Sequence, residues 1–206
     1  MVLPNKFILI EGIDGGGKTQ FVNFLEKEIK KKYNKSKHKT LSIFGQPSYS
    51  IENNNYIYNM IEFGKVSGNI KCDINRFKRN RVNHEKIINS NYKGLKICVR
   101  GVLTDIGTLY SRYNILVKSN LGQETKIELL VIIDTPIIKA LQRIKKRKQK
   151  QWRENYKYLA KFKYVYSNKS YILKFLKPKK ILIIKNTKDL KYLQFQAKKL
   201  VNGYIK

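Results

Sequence analysis

The chain has 206 residues, 42% of them hydrophobic, enough for one domain with a real core and too many for a disordered chain. Its 44 Lys and Arg face only 14 Asp and Glu, for a formal net charge of +30. That balance suits polyanions such as nucleotides, nucleic acid or an acidic membrane surface. It is also what AT-rich coding leaves behind, and Lys residues spread from end to end favour that second source, with weak non-specific nucleic-acid binding as a by-product. No apolar run is long enough to span a membrane, and no leader pattern precedes the first apolar run. Two cysteines, Cys72 and Cys98, lack metal-type spacing. The expectation is a reduced, cytoplasmic, single-domain protein over residues 1–206 with no membrane partner.

In chain order, Phe7 to Ile10 is an apolar run of the kind a buried parallel strand shows. It breaks into Gly12-Ile13-Asp14-Gly15-Gly16-Gly17-Lys18-Thr19, which fits G-x-x-x-x-G-K-[ST]. A helical pattern follows, with Phe21, Phe24, Leu25 and Ile29 on one face. Leu41 to Phe44 reads as a second strand ending at Gly45-Gln46-Pro47-Ser48. Tyr56 to Phe63 and Ile74 to Ile88 read as helices, Leu95 to Val99 as a strand, and Thr104 to Val117 as a helix. Leu129 to Ile133 is the cleanest buried strand, closed by Asp134-Thr135-Pro136. Ile137 to Lys148 is a helix that turns densely basic, and Trp152 to Phe175 is a further helix or pair. Ile181 to Ile184 and Asp189 to Val201 supply the last strand and helix. This alternation predicts five parallel strands with helices on both faces, a three-layer α/β/α P-loop fold that binds ligands at the carboxyl ends of its strands.

The glycine loop is the strongest chemical signal. Its glycines let successive backbone N–H groups turn around a polyphosphate, and the helix behind it adds free N–H groups. Gly12, Asp14, Gly15, Gly16, Gly17, Lys18 and Thr19 form the expected ATP site. Lys18 would reach the β- and γ-phosphates, and the Thr19 hydroxyl would ligate Mg²⁺.

Four stretches, in order, resemble the thymidylate kinases, a family of P-loop nucleoside monophosphate kinases. They are Glu11-Gly12-Ile13-Asp14-Gly15-Gly16-Gly17-Lys18-Thr19, Phe77-x-x-x-Arg81, Val99-Arg100-Gly101-x-x-Thr104, and Leu129 to Pro136 with Ala140-Leu141-x-Arg143-x-x-x-Arg147. The resemblance implies transfer of the γ-phosphoryl of ATP to dTMP, with Mg²⁺, in a homodimer. It implies that Asp14 meets the acceptor sugar, although an Asp there also suits a helix N-cap. Phe77 would stack on the base and Arg81 would donate to it, one helical turn apart; plain core is the alternative for Phe77. Arg100, at a strand end, would clamp the acceptor phosphate through its planar fork. Thr104 would bond the base or sugar, or cap its helix. Residues of about 143–156 would form a basic lid. The loop interior, Gly15 and Gly16, offers no guanidinium, so the lid would supply one, from Arg147 or Arg153. Trp152 and Tyr156 read as packing residues, and His38 and His84 as isolated surface residues.

No general base is required, because the nucleophile is already an anionic phosphate oxygen. The task is to hold two polyanions in line with metal and fixed cations. Three departures lie on the acceptor side. Val99 stands where the family has Asp, Gly101 where it has Tyr, and Gly45-Gln46-Pro47-Ser48 lacks the expected arginine. Glu11, Asp14 and Asp105 are the candidates to replace the missing carboxylate. Other readings are a kinase for another deoxynucleotide or a deoxynucleoside, a catalytically impaired nucleotide-binding homologue, and an ATPase coupled to nucleic acid.

Overall fold

The computed structural model describes residues 6–33, 41–45, 67–89, 94–117, 126–147, 154–187 and 189–205. Outside them lie the expected helix over 56–63, Gln46-Pro47-Ser48, His38, Lys148, Trp152 and Arg153; the side chain of His84 is also outside what is described. The elements are β1 (Lys6–Glu11), α1 (Lys18–Tyr33), β2 (Leu41–Gly45), α2 (Ile70–Asn89), β3 (Leu95–Val99), α3 (Val102–Tyr113), β4 (Leu129–Asp134), α4 (Ile137–Lys145), α5 (Tyr156–Ser167), α6 (Lys169–Phe175), β5 (Ile181–Lys185) and α7 (Leu190–Gly203).

The five strands form one parallel sheet in the order β2-β3-β1-β4-β5. Side chains alternate between its faces, so an unbroken apolar strand serves two cores at once. In β1, Phe7 and Leu9 join one core with Phe77, Leu103, Ile106, Leu159 and Phe162. Ile8 and Ile10 join the other with Phe21, Leu25, Ile29, Leu193 and Leu200 from α1 and α7. In β4, Leu130 and Ile132 face the first core while Leu129, Val131 and Ile133 face the second. Edge strand β5 is covered on one side only: Ile184 is buried, but Ile181 and Ile183 are exposed.

The register pairs Ile10 with Val99, Glu11 with Ile132, and Asp134 with Lys185. The carboxyl ends of β1, β3, β4 and β5 therefore lie side by side. The residues that leave them, Gly12, Arg100, Thr135 and Asn186, meet at one edge of the sheet.

Several boundaries differ from the sequence reading. α3 starts at Val102, with Gly101 at its N-cap and no side-chain capping bond, so Thr104 is not a cap. It ends at Asn114, whose left-handed backbone (φ 56°) lets its N–H reach the Tyr110 carbonyl. α4 stops at Lys145. The last long helical stretch is two helices broken at Asn168, which closes α5 and caps α6 by accepting from the Tyr171 N–H at 3.2 Å. α1 begins at Lys18, so Asp14 is not its N-cap. Tyr156 is 60% exposed and is no packing residue. Among the described residues, no helix is long and apolar enough to cross a membrane.

Candidate active site

The loop between β1 and α1 is fixed from three sides. The Gly16 N–H donates to the Ile13 carbonyl at 3.0 Å, closing a tight turn. The Gly16 carbonyl is held by two donors, Asn186 Nδ2 at 2.7 Å and Thr135 Oγ1 at 2.9 Å. Both come from residues just past a strand end. With that carbonyl tied down on the protein side, the peptide linking it to Gly17 has one orientation. Gly15 has φ +72°, and a Cβ there would lie 2.5 Å from the Ala140 carbonyl of α4. A bare loop is thus a packing requirement, and no guanidinium can be carried at that position.

Lys18 is nearly buried. Its ammonium donates to the carbonyls of Gly12 at 2.6 Å and Ile13 at 2.9 Å, and lies 3.6 Å from Asp14. Arg100 follows β3 with a left-handed backbone, φ 70°, a conformation that costs an L-residue about 1–2 kcal/mol. It is held there by its N–H to Ile10 O at 2.9 Å, and by the Cys98 thiol donating to its carbonyl at 3.3 Å. Its Nη2 donates to Asp14 Oδ1 at 2.9 Å. Asp14 thus links the glycine loop to the strand-end arginine.

These groups line a cavity of ≈ 670 Å³ formed by Asp14 to Gln20 with Arg100, Arg143, Arg147, Asp189 and Leu190. Four cations, Lys18, Arg100, Arg143 and Arg147, face two carboxylates, Asp14 and Asp189, so the wall suits a polyanion. Arg147 Nη1 is bound to the buried Glu154 carboxylate at 2.8 Å, tying the end of α4 to the approach of α5. Arg143 reaches inward instead, to the Gly15 carbonyl at 3.4 Å and Asn186 Oδ1 at 3.5 Å.

Phe77, Arg81 and Thr104 do not line this cavity. Phe77 is fully buried in the core. Arg81, fully buried on the same helix, makes an ion pair through Nε to Asp105 Oδ2 at 2.8 Å. Thr104 donates to Glu11 Oε2 at 2.8 Å and shares a 3.1 Å hydrogen bond with the Tyr166 hydroxyl. Glu11, also buried, accepts the Gly101 N–H at 2.7 Å. Burial, and then the nearby Glu11 carboxylate, push the Tyr166 phenol well above its ordinary range, so it stays protonated. A Cβ on Gly101 would meet a Leu9 methyl at 2.8 Å and Glu11 Oε1 at 3.1 Å, so a side chain at residue 101 would have to displace Leu9. Of the three carboxylates considered as substitutes at Val99, Glu11 and Asp105 are committed to these buried bonds, and only Asp14 lies on the cavity wall.

Among the described residues, no group of three His, Cys, Asp or Glu is arranged to hold a metal. Thr19 and Asp14 are hard oxygen donors on the wall beside Lys18, a set that fits Mg²⁺ shared with bound phosphates and is too sparse for a metal held by protein alone.

Sequence reasoning overlooked Asn186 and Thr135 and set Arg143 aside for Arg147 and Arg153. Both overlooked residues stand one position past a β-strand, as Arg100 does. The strand-end rule that singled out Arg100 would have found them.

No family model matches the sequence, and no curated protein matches it. Solved structures do. Thymidylate kinase from Candida albicans superposes with a TM-score of 0.69 at 15% identity, over 98% of this chain and 93% of that one. Thymidylate kinase from Ehrlichia chaffeensis gives a TM-score of 0.59 at 16% identity, over 97% and 99%. From its first strand to its last helix, then, this chain has the five-stranded P-loop α/β fold of the thymidylate kinases.

Proposed function

We propose that the protein is an Mg²⁺- and ATP-dependent kinase that phosphorylates dTMP to dTDP. The observation that carries this is the joining of Lys18, Arg100, Arg143 and Arg147 around one glycine loop, with Asp14 bridging the loop to Arg100. A triphosphate alone needs the loop and Lys18. A strand-end arginine hydrogen-bonded across to the loop suits a second anion beside the first.

In the reaction an acceptor phosphate oxygen attacks the γ-phosphorus, and the bond to the β,γ-bridging oxygen breaks to release ADP. Gly12 and Gly15 to Thr19 cradle the donor phosphates. Lys18 leaves the Gly12 and Ile13 carbonyls for the β- and γ-oxygens. Thr19 would hold Mg²⁺, which when bound would supply neutralisation of charge on the phosphates. Arg100 takes the acceptor phosphate, and Asp14 the sugar 3′-hydroxyl. Arg147, with Arg153 beyond the described residues, supplies the lid guanidinium, and Arg143 joins them from α4. The family resemblance assigns the base to Phe77 and Arg81, with Thr104 beside them, and this role requires α2 to turn that buried face toward the cavity when nucleotide binds. The reading carries with it a homodimer in the cytoplasm, over one domain whose lid spans about 143–156.

A second reading is favoured by one observation: Phe77 and Arg81 are both 0% exposed, and Arg81 already answers Asp105. If that pair serves the core, the acceptor is another deoxynucleotide or a deoxynucleoside, or turnover is impaired. The Candida albicans enzyme has broad substrate specificity, which makes a wide acceptor range a fair comparison. ADP release measured with ATP·Mg²⁺ and a panel of nucleosides and monophosphates tests both. Turnover of dTMP above the others supports the first reading, and turnover of another acceptor without dTMP rejects it.

A further inference from the structure

A second cleft, of ≈ 310 Å³, lies over the outward face of β5. Its walls are aliphatic, from Ile132, Ile172, Leu173, Ile181 and Ile183. Leu173, Ile181 and Ile183 are 57%, 41% and 53% exposed, on an edge strand and neighbouring helix where charge would ordinarily stand. Lys163 and Lys169 also line the cleft. Lys163 is bound to Asp134 at 2.9 Å, so the lining keeps one net positive charge, on the exposed Lys169.

Ile13 and Thr135 also line the cleft, and both hold the glycine loop. The Ile13 carbonyl accepts from Gly16 N–H and from Lys18 Nζ. Thr135 Oγ1 donates to the Gly16 carbonyl.

We propose that this cleft binds a small aliphatic anion, an unbranched medium-chain carboxylate such as decanoate, and that its occupancy weakens nucleotide binding at the loop. The aliphatic walls suit a saturated chain. Other than Lys169, the polar groups that also line the cleft are engaged within the protein: Tyr166 with Thr104, Ser167 with the Tyr164 carbonyl, Thr135 with the Gly16 carbonyl and Asp134 with Lys163. Lys169 suits a carboxylate head. A chain packed on Ile13 holds its carbonyl where it engages Lys18, and Lys18 must leave that carbonyl to reach a phosphate. Coupling of this kind is reciprocal, so ATP must weaken the carboxylate in the same ratio. The inference rests on ATP binding at the loop and not on the identity of the acceptor.

The test is calorimetric titration of the full chain with decanoate below its micelle concentration, alone and with saturating ATP·Mg²⁺. One saturable site is expected, weakened at least about tenfold by Ile183→Glu and by Lys169→Glu, and unchanged by Lys30→Glu on α1. ATP·Mg²⁺ is expected to raise the decanoate Kd about fivefold or more. Equal binding of decyltrimethylammonium, or wild-type binding by both variants, would overturn the site. An unchanged decanoate Kd in the presence of bound ATP would overturn the linkage. Failure of ATP to bind at all would instead overturn the nucleotide reading of the loop, and with it the linkage. A stable dimer in light scattering that excludes decanoate and is lost in Ile183→Glu would make this face an interface and overturn the proposal.

Discussion

Arg100 sits in a backbone conformation that glycine adopts without strain, held there by hydrogen bonds of its own N–H and carbonyl. Replacing it with glycine removes both the strain and the guanidinium. The ion pair to Asp14 that would be lost is part-exposed and worth under about 1 kcal/mol. Arg100→Gly is therefore expected to leave thermal stability level or slightly higher while phosphoryl transfer falls by roughly 10³ or more. A clear drop in melting temperature with activity retained would make Arg100 structural. Asn186 offers the complementary case. Loss of one of two donors to the Gly16 carbonyl frees the peptide that must face the phosphates. Asn186→Ala is expected to raise the ATP KM about tenfold with a smaller effect on kcat, which steady-state kinetics at fixed acceptor would read. Tyr166 makes a prediction about pH. Its folded pKa is raised above the unfolded value of 10.0, so the stability it contributes is complete below about pH 10 and is lost as the pH climbs toward the higher folded value. Wild type is expected to lose stability above pH 10 more steeply than Tyr166→Phe, as denaturant midpoints over a pH series would show.

At the scale of elements, the α3–α5 contact depends on one missing side chain. A Cβ at Gly107 would lie 2.4 Å from the Phe162 ring. Gly107→Ala is expected to destabilise by about 1–3 kcal/mol despite its better helix propensity, with part regained by Phe162→Leu, in urea unfolding of the four-member cycle. Elements with an unbroken apolar signal were legible: β1, β3, β4 and the buried face of α1 stand close to where their residues put them. The bounds of α3 were not. Gly101 and Asn114 set them through backbone conformations and hydrogen bonds that no periodicity reports. A pair of helices over Trp152 to Phe175 was one of the sequence's two options, but the position of the break was hidden, because Asn168 acts as a stop for one helix and a cap for the next.

For the molecule as a whole, the order of motifs along the chain was enough to indicate a parallel sheet with one ligand-bearing edge. The strand order brings β1 between β3 and β4 and so assembles Lys18, Arg100 and Thr135 at that edge. What remained out of reach was the difference between facing a cavity and filling a core. Phe77 and Arg81 lie on one helix face, as their spacing of four requires, but which way that face points is fixed by Asp105 and the packing of α2 on α3, and those contacts are long-range. The overall charge behaved similarly. Composition registered the excess of lysine, yet four particular cations, three of them arginines, shape the cavity.

The most direct test of the account is ADP formation from ATP·Mg²⁺ by the purified full chain, with and without dTMP, beside Lys18→Met. The expected result is ADP release that depends on dTMP, yields dTDP in equal amount, and disappears in the variant. ADP release indifferent to every acceptor, or surviving in Lys18→Met, would contradict the claim that this loop and its arginines hold two nucleotides for transfer.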